Sequence, residues 1–329
     1  MRTTIKISAL AAVCLLTSTF GFSQEAVNPT IEPATVNEVT TTLKTVDPRN
    51  KEKEKVQAKR QTETLDDWKG FYIGGNIGGT TSNHSLATST TFCGGFVGGV
   101  SGGVFTNTNG CYFAQSSVDL INIAGNQEVK PKGFTGGVQA GYNFQARKFV
   151  AGVEADFNSA RQNQTVSGSD IYTNINPGYP LQITQTIKTD WLMTIRPRAG
   201  VAVGRALIYG TGGLAVTNVN YQMNFEDFPP NPPVGYIASK GTASNTIKET
   251  KAGWTAGAGA EFKINDNWSV KGEYLYTEFK TNGTSNNASF VTINSSGGAS
   301  GLTSLPNQIF NDYVKLQTHH FKFGVNYRF

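Results

Sequence analysis

After Trp68 the chain alternates apolar and polar residues with the period of two that marks a strand with one apolar face. The alternation runs over 70–79, 133–144, 149–158, 191–203, 206–216, 253–262, 268–279 and 321–329. Each segment is close to the nine to eleven residues, roughly, that a tilted strand needs to cross hydrocarbon. In the second, Phe134, Val138, Ala140, Tyr142 and Phe144 share one side, opposite Thr135, Gln139 and Asn143. In the third, Phe149, Ala151, Val153, Ala155 and Phe157 oppose Glu154, Asp156 and Asn158, and in the fourth Trp191, Met193, Ile195, Ala199, Val201 and Val203 oppose Thr194, Arg196 and Arg198. The last three set Trp254, Ala256, Ala258, Ala260 and Phe262 against Glu261, then Trp268, Val270, Tyr274 and Tyr276 against Lys271 and Glu273, then Phe321, Phe323, Val325, Tyr327 and Phe329 against Lys322 and Arg328. No charge falls on the apolar faces, where a lipid-facing Lys or Arg at the midplane would cost about 2–4 kcal/mol.

The connections fix the topology. Those at 145–148, 204–205 and 263–267 are short, whereas 80–132, 159–190, 217–252 and 280–320 are long. Strict alternation of short periplasmic turns with long external loops belongs to outer-membrane barrels. The prediction is an all-β, eight-stranded antiparallel transmembrane barrel whose particular function rests in four long extracellular loops. Trp68 and Trp268 begin upward strands, and Trp191 and Trp254 begin downward ones, which assigns two tryptophans to each water interface. Pro197 forfeits a ladder hydrogen bond in mid-strand and predicts a local bulge. The fifth segment reads equally with Leu207, Tyr209 and Thr211 toward lipid or with Ala206, Ile208 and Gly210.

Arg2 and Lys6, the apolar run at 7–22 and the small residues Gly21 and Ser23 have the layout of a secretory signal peptide over 1–23. The stretch 24–67 contains Pro29, Pro33 and Pro48 and a charged run at 49–60, too polar to bury a core, and is expected to be a disordered periplasmic linker. The barrel then occupies 68–329. Of 28 basic residues, set against 23 acidic, two leave with the signal. So weak an excess speaks against nucleic acid, whose phosphates call for clustered Lys and Arg. Cys14 also leaves, and Cys93 and Cys111, remaining as a pair in an exported chain, are expected to form a disulfide.

The stretches WKGFYIGGNIGG (68–79), GGVQAGYNFQARKFVAGVEADF (136–157), RPRAGVAVGRALIYGTGGLAV (196–216), NWSVKGEYLY (267–276) and the terminal FKFGVNYRF resemble the small alphaproteobacterial outer-membrane proteins. That family, described as opacity-like or porin, is related in architecture to the OmpA membrane domain. The resemblance implies location in the outer membrane of a Gram-negative bacterium and, in some members, haem binding, adhesion or immune exposure. Phe329 resembles the terminal aromatic signal read by the barrel-assembly machinery. Implied partners are outer-membrane lipid, that machinery, and a host surface or haem.

The inward charges Glu154, Asp156, Glu261 and Glu273, with Arg196, Arg198, Lys271, Lys322 and Arg328, are the main chemical feature. Eight strands enclose a space that side chains just fill, so these groups are expected to pair into a lumenal ion network, either a structural plug or the filter of a narrow channel. Glu154 and Asp156 share a face but, with cations opposite, do not suit acid catalysis. His319 and His320 point to opposite faces and cannot readily grip one metal together. His84 and His320 are weak candidates for haem ligation near the outer rim. No motif sets a nucleophile beside a base, so no catalytic residues, metal site or resident cofactor are expected. The leading reading is a structural, surface-exposed barrel of the cell envelope. The alternative is a ligand-binding or transport barrel.

Overall fold

In a computed structural model, the structure describes residues 67–94, 98–101, 104–107, 113–172, 178, 180–228, 238–293 and 299–329. The expected signal peptide, the linker up to residue 66, and Cys111 lie outside these. The elements are β1 (Gly70–Thr90), β2 (Gly98–Ser101), β3 (Val104–Asn107), α1 (Gln115–Ala124), β4 (Asn126–Val129), β5 (Lys132–Ala146), β6 (Phe149–Ile171), β7 (Pro180–Val203), β8 (Ala206–Asp227), β9 (Ala238–Lys263), β10 (Trp268–Ser285), β11 (Ser289–Ile293), β12 (Ala299–Ser304) and β13 (Phe310–Arg328). Eight of them hydrogen-bond in the antiparallel order β10-β13-β1-β5-β6-β7-β8-β9, and β9 also pairs with β10. The ring therefore closes, leaving no free edge among these eight strands. The tightest periplasmic turn is Gly204–Arg205, where Gly204 takes a φ of 54° that other residues adopt reluctantly.

The strands outrun the sequence prediction at their outer ends. Seven of the eight have 18 to 26 residues, about twice what hydrocarbon requires. The eighth, β5, is prolonged by β4 beyond Pro131, because both pair with β1 in one register: Thr81 opposite Lys132, His84 opposite Val129. Much of the four predicted long loops is thus barrel wall standing above the membrane.

Its polarity is reversed there, so an apolar-outside pattern does not extend into this part of the wall. The outward residues of β6 run Phe149, Val153 and Phe157 through the lipid belt, then Arg161, Asn163, Thr165 and Ser167 above it. Inward, β13 changes from Lys322 and His320 to Leu316, Val314 and Phe310. Each face follows its solvent: lipid outside the lower half, water outside the upper half, with burial inside both.

Trp68 is 0% exposed and caps the lumen floor beside Val150, Leu207 and Tyr209 rather than sitting in the lipid interface. The guanidinium of Arg328 lies 4.7 Å and the ammonium of Lys263 5.4 Å from its ring; this cation–π attraction draws the indole inward. Trp254 and Trp268 do face lipid. In β8, Ile208 is 62% exposed while Leu207 and Tyr209 are buried, so the face bearing Ala206, Ile208 and Gly210 is the lipid face. Pro197 produces no register shift; the Thr211 hydroxyl donates to its carbonyl at 2.9 Å. The β7 bulge lies instead at Asp190 and Trp191, consecutive residues that both face outward.

Candidate functional site

The lumen is filled in layers from floor to mouth. Above Trp68 lies the ion network. Arg196 of β7 is central, at 2.8 Å from Glu154, 2.7 Å from Asp156 and 3.2 Å from Glu273. Arg198, two residues on and therefore on the same face, reaches Glu261 at 2.8 Å and Glu154 at 3.3 Å. Lys271 bonds Glu154 at 2.8 Å and Lys322 bonds Asp156 at 3.1 Å, while Arg328 stands 3.7 Å from Glu261. All nine charged residues singled out in the sequence are buried and meet here.

Sequence reasoning missed the neutral members. The hydroxyl of Tyr72 donates to Glu154 at 2.7 Å and that of Tyr209 to Glu273 at 2.9 Å. Arg198 stacks over Tyr209, 4.1 Å from the ring centroid. Gln139, Asn326 and Ser269 extend the net to Glu261. The two tyrosine rings lie across Gly141 and Gly259, where an added Cβ would collide with them. Strand parity was the available signal for Tyr72, since it lies an even number of residues from Gly74, Asn76 and Gly78 on one face of the first segment.

Above the network a cavity of about 30 Å³ is lined by His84, His320, Gln162, Leu192 and several threonines. His84 and His320 thus line one space, but inside the wall and 2% exposed, not at the rim. The His84 Nε2 is 2.8 Å from Gln162 Oε1 and the His320 Nε2 is 3.2 Å from Thr277 Oγ1. A space this size admits about one water, far too small for haem, so the expected rim site is corrected. His319 faces outward, its Nδ1 2.6 Å from the Tyr274 hydroxyl.

The upper layer is apolar. Leu86, Leu181, Ile183, Tyr221, Phe225, Phe290, Phe310 and Val314 pack around α1, which contributes Val118, Ile121 and Ala124. One polar cluster ties this layer together: Asp312 accepts from Thr88, from Tyr221 at 3.0 Å and from Asn245 at 2.6 Å, while Gln185 bonds Thr88 at 2.9 Å and the α1 cap carbonyl of Gly125 at 3.1 Å. Burial pushes the Asp312 carboxyl and the Tyr221 hydroxyl upward in pKa. At the mouth Gln308, fully buried, donates to Thr90 at 2.7 Å and to the Thr91 carbonyl at 2.8 Å, and accepts from the Phe113 amide at 3.3 Å. Cys93, beside it, is disulfide-bonded.

Asp227 closes the top of β8. Burial pushes its carboxyl up to about 7, although the Gly241 amide donates to Oδ1. A folded pKa raised above the unfolded one gives stability that is full below about pH 4 and is lost as pH rises through about 7. The mouth is therefore expected to resist proteolysis better at pH 5 than at pH 8. Asp227→Asn should flatten that difference, as read by limited digestion of the refolded protein at both pH values.

A closed eight-stranded barrel with an apolar belt outside and a buried ion network inside is an integral outer-membrane protein. The chain belongs to the outer membrane protein beta-barrel domain family, whose model matches residues 56–329. It is 34% identical to the 31 kDa outer-membrane immunogenic protein of Brucella melitensis, over 73% of this chain and 84% of that one. It is 29% identical to the 22 kDa outer membrane protein of Rhizobium leguminosarum, over 45% and 54% respectively. Among solved structures, OprG from Pseudomonas aeruginosa aligns over 79% of this chain and 97% of that one, with 11% identity and a TM-score of 0.34.

Proposed function

We propose that this protein is a noncatalytic, closed-lumen barrel that anchors in the outer membrane and presents a rigid surface-exposed wall, contributing to envelope integrity and to contact with the surroundings. The observation that carries this reading is the continuous filling of the lumen by Trp68, the ion network and the apolar layer around α1. An open channel needs a water-filled path, whereas buried side chains occupy the lumen in these layers and the space lined by His84 and His320 is only about 30 Å³. The immunogenic naming of the Brucella relatives accords with an exposed wall, as does the polar outward face of β6 and β7 above the belt.

Planar bilayers holding the refolded protein are expected to show no conductance steps, and intact cells to be labelled by an amine-reactive, membrane-impermeant reagent at Lys280, whose side chain is 57% exposed on the outward face of β10. Steady single-channel currents, or labelling only after the membrane is breached, would overturn the reading.

A further inference from the structure

The outer wall carries one feature that the closed-lumen reading does not use. Lys188 of β7, Asn220 of β8 and Lys248 of β9 stand opposite one another in register, and Thr186, Gln222 and Thr246 form the next outward row. These six line a polar depression of about 390 Å³. Neighbouring strands are about 4.8 Å apart, so the lysine Cα atoms are about 10 Å apart, and both side chains reach an anion seated over Asn220. Several other lysines above the belt have a carboxylate beside them: Lys280 and Lys315 share Glu278, and Lys240 pairs with Glu226. Among the described residues, Lys188 and Lys248 make no ion pair. The carboxylate nearest along β7, Asp190, accepts instead from Asn218 at 2.6 Å, and Thr186 meets Thr165 at 3.0 Å.

Height narrows the choice of ligand. The row lies four residues beyond Val216, the last apolar outward residue of β8. At about 3.3 Å per residue and a tilt near 40°, this is about 10 Å above the belt. A phospholipid headgroup layer is only about 5–8 Å deep, so the cations stand at or just beyond its outer limit. An anion carried upward on sugars meets them directly, whereas a plain glycerophosphate is reached only by lysines bent down toward the membrane.

We propose that this row binds the sugar-borne phosphate or carboxylate of an outer-leaflet glycolipid, with Lys188 and Lys248 flanking the anion and the Asn220 and Gln222 amides donating to it. The site is independent of whether the lumen conducts. The test uses full-length protein refolded in nonionic detergent, its barrel verified by heat-modifiable migration, and titrated with lipopolysaccharide as the probe. Lys188→Gln/Lys248→Gln is expected to weaken retention on the order of tenfold or more, given the favourable contribution of each basic residue near an anionic membrane surface. Lys188→Arg/Lys248→Arg should preserve retention, and Asp190→Asn should tighten it. Unchanged retention in the glutamine pair overturns the proposal. So does equal competition by phosphatidylglycerol, which would reveal unspecific charge attraction, or full displacement by millimolar inorganic phosphate, which would reveal a free-anion site. Should the glutamine pair fail to fold, Asp190→Asn decides, and unchanged affinity there overturns the proposal as well.

Discussion

Replacing Arg196 with alanine is expected to cost the barrel about 3–5 kcal/mol, the range seen when one partner of a buried ion pair is removed. One guanidinium with no exposed surface serves Glu154, Asp156 and Glu273. Without it, three carboxylates at the centre of the lumen are left to Lys271, Lys322 and Arg198. Lys322 already bonds Asp156, and Lys271 bonds Glu154 at 2.8 Å while standing 3.8 Å from Glu273, so Glu273 keeps only the longer share of one ammonium. Neutralising a carboxylate at the same time should recover part of the loss, because residues of one network do not contribute additively. Arg196→Ala/Glu273→Gln is therefore expected to be more stable than Arg196→Ala alone. Urea unfolding in lipid vesicles measures both. If the two variants unfold at the same denaturant concentration, Glu273 does not depend on Arg196.

That network was legible in the sequence because strand parity places alternate residues on one side, and charge cannot face lipid. Glu154, Asp156, Arg196 and Arg198 could be assigned inward on this ground alone. The same rule failed for Trp68 and for the upper wall, each for a physical reason. Trp68 precedes the first regular alternation and was placed by residue type, whereas its position is decided by two cations, Lys263 and Arg328, close in space and remote in sequence. Above the belt the period of two persists, but its sign reverses. Apolar-outside alternation therefore ends at Gly79 in β1 and at Asn158 in β6, where the solvent changes and the strand does not. The buried carboxylates Asp227 and Asp312 and the mouth residue Gln308 were hidden by the same error, since residues assigned to loops are taken as solvated.

The reversal implies that the two halves of the lumen are held by different forces, and Phe310→Ala tests this. Phe310 is fully buried, 5.3 Å from the ring of Phe225 and 6.3 Å from that of Phe113. Truncation to alanine in such a core is expected to cost about 3–5 kcal/mol, from lost burial and from the cavity left behind. The loss should be confined to the upper half, because the lower strands keep Trp68, the ion network and the lipid belt. Amide exchange followed by mass spectrometry should therefore accelerate in peptides covering 84–90, 219–227 and 310–316, with 70–78 and 321–328 as protected as in the parent protein. Partial opening of this kind is expected where cooperative units differ in their packing. Strands that run unbroken through both halves oppose it, since fraying at the mouth must stop somewhere along a shared ladder. The level of His84 and His320 is the place for it to stop, because the small cavity there lies between the apolar layer and the charged one. Uniform acceleration from floor to mouth would mean that the ladders, not the lumenal layers, set the cooperative unit.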